Sequence, residues 1–136
     1  MKRLLLVEDL PKDARRAATI AESVGFDEVD ARTSLRAAQT HLEKALEGGS
    51  PLPDAIVLDL NLGYDSGYEL LRYWHATPQL ATIPVVIWSI LGDEQREMCN
   101  LFKVTSVVAK WEGDEGLREA LVNLLSQPPP EIVQGD

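Results

Sequence analysis

Asp59 closes a short apolar run, Ala55 to Leu58. An apolar run ending in a lone carboxylate is how a buried parallel strand reads when its C-terminal tip carries chemistry. In open α/β sheets, sites lie in the crevice beyond the carboxyl ends of the strands. Taken alone, Asp59 reads equally well as a turn residue after a strand. The other apolar runs shift that balance. Arg3 to Val7 ends in Glu8-Asp9, Val85 to Ser89 ends in a hydroxyl, and Ser106 to Ala109 ends at Lys110. Each is ordinary by itself, since acidic pairs sit on loops, Ser ends strands and Lys is usually solvated. Three acids, a hydroxyl and a lysine at four strand tips are expected to share one crevice.

The residue types define what that crevice can do. Clustered carboxylates repel one another and raise their own pKa values. A hard divalent cation relieves the repulsion, and Mg²⁺ suits an open set of carboxylate and carbonyl oxygens because it retains water. A carboxylate can also attack phosphorus and form an aspartyl phosphate. Phosphoryl transfer then needs its equatorial oxygens neutralised. The metal supplies part of this. The Lys110 ammonium and the Ser89 hydroxyl supply the rest, as point charge and hydrogen-bond donor.

Holding these tips together requires alternating strands and helices. After the first strand, Pro11 to Val24 reads as a helix, with Pro11 tolerated in its first turn, apolar residues at helical spacing and Gly25 as the stop. Glu28 to Ala31 is a short second strand. Thr33 or Ser34 caps a helix running to about Leu46, and residues 48–53 form a loop. Ala55 to Asp59 is the third strand and Asn61 to Ser66 a Gly-containing loop. Gly67 to His75 is a helix with Leu70, Leu71 and Trp74 inward. Val85 to Ser89 is the fourth strand and Asp93 to Phe102 a short polar helix. After the fifth strand, Glu115 to Leu125 is the last helix. Five strand–helix units predict one parallel sheet with helices on both faces.

Composition agrees. With 136 residues, 15.0 kDa and 45% hydrophobic content, the chain suits one domain with one substantial core. A formal charge of −9 and a pI of about 4.6 argue against nucleic-acid binding through a basic surface. They suit a protein that collects cations or docks on a basic partner. Cys99 is the sole cysteine, so no internal disulfide forms and a reducing compartment is expected. The opening Met1 to Val7 is cut off by Glu8 and Asp9, too early for a signal peptide or membrane span. A soluble cytoplasmic protein without nucleic-acid or membrane contact is expected.

In order and spacing, Leu5-Leu6-Val7-Glu8-Asp9, Asp59 with Asn61 and Gly67 downstream, Ile83-Pro84-Val85-Val86 leading to Ser89, and Lys110 resemble the receiver domains of two-component response regulators. The resemblance covers about residues 2–126. It implies a flavodoxin-like α/β fold, a doubly wound five-stranded parallel sheet in the order 2-1-3-4-5. Residues 1–127 are expected to form the receiver domain and 128–136 a Pro-rich, polar, flexible tail. The resemblance also implies that Asp59 accepts phosphate from a histidine kinase. It implies Mg²⁺ held by the Glu8-Asp9 pair, by Asp59 and by the main-chain carbonyl of Asn61. Ser89 matches the switch hydroxyl of such domains and Lys110 their lysine. The implied protein is a stand-alone regulator rather than a metabolic enzyme. It catalyses its own phosphotransfer and dephosphorylation, and phosphorylation changes a protein-binding surface. The implied partners are a sensor histidine kinase (a phytochrome-like one among the options) or a phosphotransfer protein, and a downstream protein target. A homodimer through the fourth helix, fifth strand and fifth helix is a further expectation.

The chain departs from the usual receiver pattern at four points. Trp111 stands where Pro commonly follows the lysine, Val107 where an aromatic often switches, Ile90 where the residue after the hydroxyl is usually small, and Gly63 where Pro is common. A cis bond before a non-proline costs roughly 2.5–4 kcal/mol, so a trans or reshaped loop is expected at Trp111. These changes bear on output more than on the phosphorylation site.

Two other readings compete: a pseudo-receiver used as an unphosphorylated interaction module, and a phosphohydrolase with an aspartyl nucleophile. The intact Glu8, Asp9, Asp59, Ser89 and Lys110 oppose the first. Against the second, Asp59 follows the third strand rather than the first, and position 61 is Asn rather than an acid. His41 and His75 are expected to pack or lie on the surface, Cys99 to be inert, Trp74 and Trp88 to be core, and Trp111 to be an interface residue. Asn61 and Leu91, with Ile90 beside them, are expected to flank the path of a hydrolytic water. Apolar cover there is expected to let the phosphorylated form persist for minutes to hours.

Overall fold

The computed structural model describes residues 1–126, and the tail expected over 128–136 lies outside the described residues. The chain runs β1 (Arg3–Val7), α1 (Pro11–Val24), β2 (Glu28–Arg32), α2 (Leu35–Leu46), β3 (Ala55–Leu58), a miniature hairpin of β4 (Asn61–Leu62) and β5 (Asp65–Ser66), α3 (Gly67–Ala76), α4 (Pro78–Ala81), β6 (Val85–Ser89), α5 (Asp93–Leu101), β7 (Ser106–Ala109), a 3-10 turn (Lys110–Glu112) and α6 (Asp114–Ser126). The five main strands form one parallel sheet in the order β2-β1-β3-β6-β7. Counted over the sheet strands, this is the expected 2-1-3-4-5.

Strand alternation divides the core in two, because successive side chains point to opposite faces. Leu5, Val7, Ile56, Leu58, Val85 and Ile87 face α2, α3, α4 and α5, where Leu42, Leu70, Leu80 and Cys99 pack on them. Leu4, Leu6, Ala55, Val57, Val86 and Trp88 face α1 and α6, against Ile20, Ala21, Leu117 and Leu121. Trp74 and Trp88 are buried as expected, at 4% and 1% exposure, while Trp111 is 72% exposed.

Local chemistry sets the ends of the elements. Ser34 Oγ accepts from the Ala37 N–H at 3.1 Å and Ser66 Oγ from Tyr68 at 3.2 Å, each satisfying an orphan donor of a helix start. Pro11 occupies the first turn of α1, and Gly25 ends it at φ 125°, a conformation that favours glycine. The segment after Asp59, expected as a plain loop, folds as the β4–β5 hairpin. The α4 turn lies in a stretch to which the sequence assigned no element, and the 3-10 turn occupies the loop expected at Trp111. Among the described residues no peptide bond is cis, so the Lys110–Trp111 bond is trans. No helix among them is long and apolar enough to cross a membrane.

Candidate phosphoryl and metal site

Register brings the strand tips level. Val7 pairs with Leu58, Leu58 with Ile87, and Ser89 with Ala109. The residues that follow these pairs therefore emerge at one edge of the sheet. Asp59 continues from β3 with its N–H donating to Val7 O at 3.0 Å. Gly67 is required close by. A Cβ there would stand 2.5 Å from Asp59 O and 2.7 Å from Leu60 Cα, inside backbone that has no room to yield. The Gly67 N–H donates to Leu60 O at 2.8 Å, closing the loop that follows Asp59.

Asp59 is 3% exposed and both of its oxygens are held. Ser89 Oγ donates to Asp59 Oδ1 at 2.6 Å, and the Asn61 N–H donates to the same oxygen at 3.0 Å. Lys110 Nζ donates to Asp59 Oδ2 at 2.9 Å. The Asn61 side-chain amide donates to Ser89 Oγ at 3.3 Å and to Ile90 O at 3.4 Å. Lys110 also lies 2.6 Å from Glu8 Oε1 and 2.8 Å from Asp13 Oδ2. The Lys110–Glu8 contact is a close ion pair, with Glu8 Oε1 buried beneath the ammonium.

Electrostatics follow from this packing. Burial pushes the Glu8 carboxyl up to about 7, and the Asp59 charge adds to the push, against Lys110 and the Leu10 N–H. Burial alone would lower the Lys110 ammonium. Its bonds to Asp13, Glu8 and Asp59 outweigh that and hold it above its ordinary range. The Lys110 bond keeps the Asp13 carboxyl below its ordinary value.

Glu8, Asp9 and Asp59 each offer an oxygen, all within 4.8 Å of one another. An all-oxygen donor set of three close carboxylates, one of them buried with a raised carboxyl, fits a hard divalent cation, which would relieve their mutual repulsion. The structure thus brings Glu8, Asp9, Asp59, Asn61, Ser89 and Lys110 to one edge. Leu91 packs into the apolar cluster with Leu60 and Leu62 at 9% exposure, while Ile90 is 70% exposed. Leu91 is therefore a core residue, and Ile90 is the exposed member of the pair.

Asp13 was not anticipated. It sits in the first turn of α1, and helix starts that follow strand tips lie at the site edge. A carboxylate one turn into the helix after Glu8-Asp9 was the available signal.

Comparisons with known proteins agree with this geometry. No family model matches the chain. The chain is 34% identical over 95 residues to response regulator Rcp1 of Synechocystis, a match covering 68% of this chain and 65% of that protein. It is 33% identical over 97 residues to the two-component response regulator ORR1 of rice, covering 69% of this chain and 42% of that protein. The matches thus span less than two thirds of these relatives. Among solved structures, the Mn²⁺-bound form of Rcp1 superposes with a TM-score of 0.80 at 25% identity, covering 96% of this chain and all of that one, 100%. The phosphorylated cyanobacterial phytochrome response regulator RcpA superposes with a TM-score of 0.76 at 26% identity, covering 90% of each chain.

Proposed function

The chain belongs to the receiver domains of two-component response regulators, and on that premise we propose that Asp59 accepts a phosphoryl group from a histidine kinase in a Mg²⁺-dependent reaction. The observation that carries the reading is Asp59 itself. It is a buried carboxylate held by a hydroxyl on one oxygen and an ammonium on the other.

The chemistry follows from the residues around it. An Asp59 oxygen attacks phosphorus, the phosphorus–nitrogen bond of the donor phosphohistidine breaks, and an acyl phosphate forms on Asp59. Glu8, Asp9, Asp59 and the main-chain carbonyl of Asn61 would hold Mg²⁺, which when bound supplies charge neutralisation at the phosphoryl oxygens. Lys110 turns its ammonium from the Asp59 carboxylate to a phosphoryl oxygen, and Ser89 moves its hydroxyl from Asp59 Oδ1 to another. RcpA is a phytochrome response regulator, so a phytochrome-type sensor kinase is the first donor to assay, ahead of a phosphotransfer protein. The protein acts in the cytoplasm and passes the signal by binding a downstream protein.

Acetyl phosphate with Mg²⁺, followed by intact mass, tests the reading. Wild type is expected to gain one phosphate, and Asp59→Asn to gain none while keeping its fold. Unchanged uptake in the mutant moves the nucleophile elsewhere. No uptake by wild type favours an interaction module that works without phosphorylation.

A further inference from the structure

Asp13 lies outside the residues assigned above to metal or phosphoryl contact, and its carboxylate faces two cations. Asp13 Oδ2 accepts from Lys110 Nζ at 2.8 Å, and Oδ1 accepts from Arg16 Nη1 at 3.1 Å. Arg16 in turn donates to Asp114 Oδ1, through Nε at 3.1 Å and also through Nη2. Both cations rest over the buried Trp88 ring, Lys110 Nζ at 5.0 Å and the Arg16 guanidinium at 5.3 Å from its centroid. Lys110 opens the 3-10 turn and Asp114 begins α6 just beyond it. The two ends of this short segment are therefore both fastened to the first turns of α1.

A lysine ammonium is a compact charge on a flexible stem with three donors. Here three carboxylates surround it. Phosphorylation would convert one Asp59 oxygen to the bridging oxygen of an acyl phosphate, and metal binding would draw on Glu8. Asp13 is the remaining carboxylate, which neither event removes. We propose that Asp13 is a positioning residue for Lys110: with Arg16 it clamps the Lys110–Asp114 segment to α1, so the ammonium stays aimed at the strand tips while Asp59 changes charge. The inference rests on reading Asp59 as the phosphoacceptor, but the contact it invokes is measurable without phosphorylation.

Competitive acetylation of the native full chain with acetic anhydride, read by peptide mass, reports the contact. Lys110 has 8% of its side chain exposed, whereas Lys12 and Lys103 are exposed, so Lys110 is expected to label slowest in wild type. Asp13→Ala is expected to raise Lys110 labelling about fivefold relative to Lys12, because the flexible stem loses one anchor. Its initial rate of phosphate uptake from acetyl phosphate is expected to fall about tenfold through misaligned charge, with Mg²⁺ affinity within about threefold of wild type. Asp13→Asn, which keeps the size and an acceptor oxygen, should fall between. A merely structural role would lower stability without changing Lys110 reactivity relative to Lys12.

The buried thiol of Cys99 serves as the fold control. If Asp13→Ala leaves it open to a thiol reagent, Asp13→Asn carries the test. Wild-type labelling and uptake rates in a folded variant would overturn the proposal. Absence of uptake in wild type would remove the phosphoacceptor reading, while the labelling ratio still decides the Asp13–Lys110 contact.

Discussion

Lys110 and Glu8 show how charge is balanced at the scale of single residues. A carboxylate at 1% exposure pays for desolvation with a raised pKa unless enough positive charge faces it. The Lys110 ammonium is shared with Asp13 and Asp59, so Glu8 receives only part of it. Its folded pKa of about 7 stands above the ordinary 4.5. A raised folded value contributes stability that is complete below the unfolded pKa and lost as pH rises through the folded one. The metal-free protein should therefore lose roughly 1–3 kcal/mol between about pH 4.5 and 7. Asp13, shifted down, acts only below its ordinary 3.8, outside that window. Thermal melts in chelator at pH 5.5 and 8 should show the loss at the higher pH. Added Mg²⁺ should reverse it there, and Glu8→Gln should flatten the profile. A metal-free melting temperature that rises with pH would refute the account. Glu8, Asp9, Asp59, Ser89 and Lys110 were legible in the sequence because each ends or follows an apolar run. Asp13 was not, because its nearness to Lys110 depends on how α1 leaves β1.

At the scale of elements, the strands and long helices were readable because their apolar periods are strong and their stops are Gly, Pro or a capping Ser. The pieces not read from the sequence, the β4–β5 hairpin, α4 and the 3-10 turn, are too short to carry a period. They are held by bonds such as Gly67 N–H to Leu60 O and Gly113 N–H to Lys110 O, which exist only once the sheet edge has formed. The β6–α5 connection is more instructive. Spacing from Ser89 placed Leu91 beside the site with Ile90 next to it; Leu91 is buried in the apolar cluster and Ile90 is exposed. This changes what Leu91→Glu should do. A carboxylate at that position enters an apolar cluster, so the substitution is expected to destabilise the fold by roughly 2–4 kcal/mol rather than simply hasten hydrolysis. Denaturant unfolding decides it: a variant as stable as wild type would return Leu91 to the surface.

For the whole molecule, the question is which surface would register the proposed charge change at Asp59. The core is uneven. α1 buries Ala17, Ile20 and Ala21, and α6 buries Leu117, Ala120 and Leu121. α5 buries Cys99 alone and leaves Met98 and Leu101 at 47% and 75% exposure. A helix with so little apolar burial lies at the low-stability end of the structure and moves most readily. It begins just past Ser89, whose hydroxyl donates to Asp59 Oδ1 and, on the proposed function, leaves it for a phosphoryl oxygen. It is tied to the neighbouring strand by Arg96 Nη1 donating to Val107 O at 2.9 Å, so a shift in α5 is felt along β7. Val107 has no aromatic ring to carry the signal, which leaves backbone and helix movement as the route. Beryllofluoride with Mg²⁺, a phosphoryl mimic, is therefore expected to change amide exchange in Ile90 to Leu101, along β7 and at the start of α6, with Trp111 at the rim. The same face, which exposes Ile90, Met98, Leu101 and Trp111 among charged residues, is expected to support a homodimer that forms only with the mimic, seen as a concentration-dependent rise in sedimentation coefficient. Exchange changes confined to α1 and α2, or a dimer unaffected by the mimic, would place the output elsewhere.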